Sequence, residues 1–206
     1  KKEVKVYHNS IVGNKIIQSE CIEPSLLKDL NQKYHVKAIN LLKELNKDKV
    51  DLYDYSEFHI IETGAECSFP IHDDTPNKLL SGVIYLNPEE NSGTHFYNSK
   101  KGDNKKTIDW KKNRAVFFSR IEKETWHSYS GDGKNNRLVL VYNLMTNRIK
   151  KVLSTPDETL KQVRHNAIAR INRDFTLSKQ KEMAIEERKA IILFERITAK
   201  MDFDKE

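Results

Sequence analysis

Ten residues, KLLSGVIYLN from Lys78 to Asn87, form an apolar run broken only by the serine and glycine at its middle. The run is too short to cross a membrane and too continuous for a strand with one wet face. It reads as a strand covered on both sides, at the centre of a sheet. Around it, YSEFHIIETG (ended by Gly64), THFYN, RAVFFS and RLVLVYNL read as further strands. Gly, Asn, Asp and Pro fill the segments between them, as turns require. The N-terminal stretch VKVYHNSIVGNKIIQS alternates weakly and reads as one or two more strands.

Two regions depart from this β pattern. EPSLLKDLNQKYHVKAINLLKELNKDKV is opened by Pro24 and Ser25, and its apolar residues recur at helical spacing. After Leu153 the character changes again. Thr155, Pro156 and Glu158 make a capping box, and Leu160, Val163, Ala167, Ile171 and Phe175 follow at intervals of three and four. Met183, Ala190, Phe194, Ile197 and Met201 mark a second stripe. The expectation is a mainly β (α+β) protein. A β core over 1–152 carries an N-terminal helix, and a helical extension spans 153–206. The apolar stripe of that extension needs cover, either the core or a second copy of the chain in a homodimer.

The 206 residues suffice to bury a core. No apolar run approaches the length of a membrane span. The start, KKEVKVYHNS, has no apolar signal segment and no initiator Met, which leaves open whether a leader precedes it. Cys21 and Cys67 lack zinc-type spacing and read as reduced thiols of a cytoplasmic protein. The net charge of +6 is uneven: residues 98–114 hold 7 Lys/Arg against 2 Asp/Glu. In that loop Trp110 is the one aromatic, which argues against a stacking platform for single-stranded nucleic acid. Glu182, Glu186, Glu187 and Glu195 interrupt any basic stripe further on.

Chemistry concentrates in FPIHDDTPNK. On a strand, residues two apart share a side, so His72 and Asp74 converge and Asp73 turns away. Alone, that is a hydrogen-bonded pair at a strand end or half a metal site. His127 lies 55 positions further on, between RAVFFS and the strand that begins at Arg137. Two imidazoles and one carboxylate leave coordination positions open, which suits non-haem Fe(II) and oxygen chemistry. His8, His35, His59 and His165 read as ordinary surface or core residues, whereas His95 is a candidate to face the barrel interior.

His-x-Asp, then YLN, then a distal His with an Arg ten residues on, resembles the Fe(II)/2-oxoglutarate-dependent dioxygenases, in particular their prolyl-hydroxylase-like branch. The matching stretch runs from about Tyr55 to Leu144. The resemblance implies a double-stranded β-helix, a jelly-roll-like barrel. It implies Fe(II) bound by His72, Asp74 and His127, and 2-oxoglutarate held at its distal carboxylate by Arg137, whose planar fork grips carboxylates. It gives Tyr85 a hydroxyl contact to the same carboxylate, although Tyr85 also fits as core filling. The implied reaction consumes 2-oxoglutarate and O2, releases succinate and CO2, and hydroxylates a prime substrate. That substrate is a protein side chain, an amino acid or a small metabolite. Asp74 argues against the halogenase branch, and Asn143, where nucleic-acid demethylases carry a second Arg, argues against that one. Seed-storage-like cupins use His-x-His instead. The competing class is a non-catalytic metal-binding jelly-roll module for a ligand or protein.

Overall fold

The computed structural model describes residues 3–148. The expected C-terminal helical pair, with its bracing or dimerising role, falls outside the described residues. Among those described, eleven strands and one α-helix make up the regular structure, with a short 3-10 helix, Lys47–Leu52. No helix among them is long and apolar enough to cross a membrane.

The N-terminal stretch folds into three short strands rather than one or two: β1 (Val4–Tyr7), β2 (Asn9–Val12) and β3 (Lys15–Ser19). Gly13, at φ 54°, opens the two-residue turn between β2 and β3, a conformation glycine adopts without strain. Helix α1 (Pro24–Leu45) begins at its proline, whose missing N–H costs nothing there. It buries Leu27, Asn31, Ala38 and Leu42, one stripe at helical spacing. The chain leaves the helix at Asn46, earlier than the periodicity suggests, and the KDKVDL segment forms the 3-10 helix instead.

The remaining strands are β4 (Tyr55–Thr63), β5 (Ser68–His72), β6 (Lys78–Asn87), β7 (Thr94–Tyr97), β8 (Lys106–Ile108), β9 (Ala115–Phe118), β10 (Trp126–Ser130) and β11 (Arg137–Met145). A large sheet runs β3-β2-β4-β11-β6-β9, with β1 also on β4, and a small sheet runs β5-β10-β7-β8. From β4 onward the chain crosses between the sheets at every connection except the β7–β8 hairpin. That is a jelly-roll-like order. KLLSGVIYLN is an interior strand, flanked by β11 and the edge strand β9, one place from the margin rather than at the centre. Its glycine is required by close approach: a Cβ on Gly82 would meet the Phe117 ring at 2.2 Å.

The large sheet has two faces. One packs Phe58, Leu80, Tyr142 and Leu144 with Leu27 and Leu42 of α1 in the main core. The other joins Tyr85, Val116 and Val139 to Phe96 of the small sheet in a second, smaller cluster. The candidate site lies on this second, inner face.

Candidate metal centre

Strands β5 and β10 pair antiparallel, with His127 directly opposite His72. Their ring centroids are 4.3 Å apart. Asp74 joins them, and one ligand atom from each residue lies within 4.8 Å of the others. The sequence argument carried the strand past His72, but β5 ends there, so Asp73 and Asp74 belong to the following loop. His127 likewise sits within a strand, where the sequence suggested a connection. A register shift follows His127 on β10.

Both imidazoles are oriented by the backbone two residues upstream. His72 Nδ1 lies 2.8 Å from the Pro70 carbonyl, and His127 Nδ1 lies 2.9 Å from the Thr125 carbonyl. A carbonyl only accepts, so each ring carries a proton on Nδ1, and Nε2 is the atom left to face a metal. Burial lowers the His127 pKa, and the His72 ring beside it adds to this, while Asp74 pulls the other way. The ring is therefore neutral, as a metal ligand must be. Phe96 and Phe118 wall it at 6.1 and 4.8 Å.

Asp74 is buried, which alone would raise its pKa. Lys78 Nζ at 2.7 Å from Oδ1 and Ser81 Oγ at 2.6 Å from Oδ2 outweigh that and hold the carboxyl well below its usual range. Each carboxylate oxygen accepts one bond and keeps a lone pair free. Asp73 does point away, but it is not idle. It pairs with Arg120 at 3.1 Å and accepts from Thr125 Oγ1 at 2.8 Å. Arg120 in turn donates Nε to the Asp74 carbonyl at 2.6 Å. The two ligand-bearing segments, 72–74 and 120–127, are thus braced against each other.

Arg137 stands at the opposite end of the inner face, paired in register with Thr63. Its guanidinium lies 3.6 Å over the Tyr129 ring. Nε and Nη1 have no hydrogen-bond partner, nor has Thr63 Oγ1, and all three are buried. No ion pair joins Arg137 to a carboxylate among the described residues. A buried cation beside orphaned donors is costly unless an anion completes it. A ligand carboxylate fits that description. Tyr85 is on the same face, opposite Val139. Its hydroxyl bonds Thr94 Oγ1 at 2.7 Å and accepts the Thr94 N–H, and its ring stacks on Trp110. His95 alternates with Phe96 on β7, so its ring points to the other face, where it meets Thr107 at 3.0 Å. It does not face the interior as the sequence suggested.

Sequence reasoning missed Thr63, Ser81, Glu57 and His59. The signal was present in YSEFHIIET: Phe58 and Ile60 make one apolar side, yet Glu57 and His59 occupy the other side of what is an interior strand.

No protein-family model matches the sequence, and no curated protein is significantly similar to it. Solved structures do match. A 2OG-Fe(II) oxygenase family oxidoreductase from Burkholderia pseudomallei is 15% identical, over 70% of this chain and 69% of that one, with a TM-score of 0.49. A prolyl-4-hydroxylase from Pseudomonas putida is 16% identical, over 71% and 73%, at 0.47. A cupin domain from Schizosaccharomyces pombe is 13% identical over 50% of this chain and 66% of its own, at 0.36. Likenesses of this distance carry no argument about activity, which has to come from the residues of the site.

Proposed function

We propose that the chain is an Fe(II)- and 2-oxoglutarate-dependent oxygenase on a double-stranded β-helix, acting as a hydroxylase. One observation carries this reading. A His–Asp–His group with both ring tautomers set by the backbone shares the barrel interior with a buried guanidinium that has no anionic partner. Fe(II) bound there supplies the activation of O2, with 2-oxoglutarate as the co-reductant. Overall, 2-oxoglutarate, O2 and a substrate C–H bond become succinate, CO2 and C–OH.

The chain's own residues do the following work. His72 and His127 offer Nε2, and Asp74 stays ionised because Lys78 and Ser81 bond it. Arg137 receives the distal carboxylate of 2-oxoglutarate through two parallel N–H bonds. Thr63 and Tyr85 stand beside that carboxylate, and the Tyr129 ring shields the back of the guanidinium from water. The substrate is held on the metal side, against Phe96 and Phe118.

The purified chain given Fe(II), 2-oxoglutarate and O2 is expected to form succinate, and Asp74→Ala to abolish this together with metal uptake measured by equilibrium dialysis. Absence of succinate with metal-loaded protein, across peptide and amino-acid panels, would leave the non-catalytic metal-binding module as the better reading.

A further inference from the structure

The inner face of the large sheet carries two polar side chains, Glu57 and Asn143, that the reaction above does not use. Glu57 on β4, Asn143 on β11 and Ser81 on β6 form one rung across three neighbouring strands. Ser81 turns to Asp74, so the rung begins at the metal centre. Two strand spacings, roughly 10 Å of backbone, separate Ser81 from Glu57.

Asn143 donates Nδ2 to Glu57 Oε2 at 3.1 Å. Its Oδ1 is left buried without a partner, in a residue 1% exposed. His59, two residues along β4 on the same face, lies with Nε2 3.2 Å from the same carboxylate oxygen. His59 Nδ1 accepts the Asn9 N–H at 3.2 Å, which leaves Nε2 as the donor to Glu57. Burial would push the Glu57 carboxyl up, but His59, Asn143 and the charge of Lys78 together outweigh it and keep the group ionised. His59 is the basic side chain in contact with Glu57, and Lys78 attracts the carboxylate without displacing its own bond to Asp74. A sheltered carboxylate and an orphaned amide oxygen, side by side, both ask for donors.

We infer that Glu57 and Asn143 form the prime-substrate subsite of this centre, and that the group they receive is a cationic nitrogen, an ammonium or guanidinium. This deepens the oxygenase reading and rests on it. Both atoms on offer are acceptors, which selects an N–H donor, and the full charge on Glu57 selects a cation over a neutral amide. The C–H bond to be oxidised then lies between the subsite and the metal ligands, within a few bonds of that nitrogen. A basic side chain in a peptide and a free basic amino acid present the same chemistry.

Fluorescently labelled hexapeptides with a central lysine, arginine, norleucine, glutamate or proline test this on the full chain by anisotropy. Titrations are run without metal, and with Mn(II) and 2-oxoglutarate in the absence of O2. Lysine or arginine peptides are expected to bind at least about tenfold tighter than norleucine, the usual worth of a charge-assisted hydrogen bond. Glu57→Gln should erase that ratio and Glu57→Asp should keep part of it, both variants being checked for parental circular dichroism. Free lysine and arginine enter as competitors: displacement of the peptide identifies the free amino acid as sufficient. Equal binding of neutral and cationic peptides, survival of the preference in Glu57→Gln, or no binding of any peptide would overturn the inference. A chain that prefers cationic peptides without metal, yet neither takes up Mn(II) nor consumes 2-oxoglutarate, would sink the oxygenase reading and leave the subsite standing.

Discussion

The two faces of the large sheet are built by the same strands and have opposite characters. On the outer face Phe58, Leu80, Tyr142 and Leu144 meet α1 in a continuous apolar core. On the inner face a short apolar centre, Tyr85, Val116 and Val139, separates two polar ends. Ser81, Asn143 and Glu57 lie toward the candidate metal ligands, while Arg137 and Thr63 stand at the other end with donors unpaired. Alternation with period two makes this division possible, since one strand can hold the fold on one side and present chemistry on the other. Buried polar atoms without a partner occur on both sides, the Tyr142 hydroxyl among them on the outer face, but the unpaired guanidinium is on the inner face, so what separates the two faces is charge.

That division can be tested at its strongest point first. Phe58 is 1% exposed and stacks on Tyr142 at 4.3 Å. Phe58→Ala should cost about 3–5 kcal/mol in urea unfolding. A loss below 1 kcal/mol would mean that the outer face does not carry the fold. Asp73→Ala should cost about 3 kcal/mol or more, because it strands the Arg120 guanidinium, only 5% exposed. A side chain the period-two reading treats as a bystander would then be a main structural brace of the inner site.

Arg137→Met should show opposite signs in one variant. Removing an uncompensated buried cation should raise the melting temperature of the ligand-free protein. The same change should weaken 2-oxoglutarate binding by about 2–4 kcal/mol in calorimetry. A variant that lost stability instead would show Arg137 to be a structural residue. Ser81→Ala, which removes one bond to Asp74, should weaken Mn(II) binding roughly 10- to 100-fold.

The smallest expected effect is a pH profile. His127 and Asp74 both have pKa values lowered in the fold. Each therefore contributes stability that is present above its unfolded value and lost as pH falls. Melting of the ligand-free protein should drop in two steps, below about pH 6.5 and below about pH 4. Phe58→Ala should keep both steps, and Asp74→Asn should shrink the lower one, to which Glu57 also contributes.

Much of the fold was legible because the strands of the large sheet are long and strongly patterned. KLLSGVIYLN and RLVLVYNL correspond to β6 and to nearly all of β11. The small sheet was harder to read: β8 has three residues, KTI, inside a lysine-rich loop, and β10 is WHSYS, with little apolar alternation. Those strands are specified by pairing with β7 and β5, a tertiary effect that local propensity does not express. The candidate ligands were legible from spacing, because a strand end and its loop keep His72 and Asp74 together. Glu57 and Asn143 were not, since what singles them out is a rung across three strands, 86 residues apart in sequence.

The placement of His72 has a further consequence. β5 is the outermost strand of the small sheet, and Pro70 at its middle has no N–H to offer a ladder. His72 is on this border strand, and its partner ligand His127 is on the next strand inward. An ion gripped by both would act as a cross-strand rivet, so that fraying of the sheet margin and release of the ion would be one equilibrium seen from two sides. Any change that loosens the margin must weaken the grip by the same free energy. Amide exchange along β5 would then be a gauge of occupancy that needs no turnover at all.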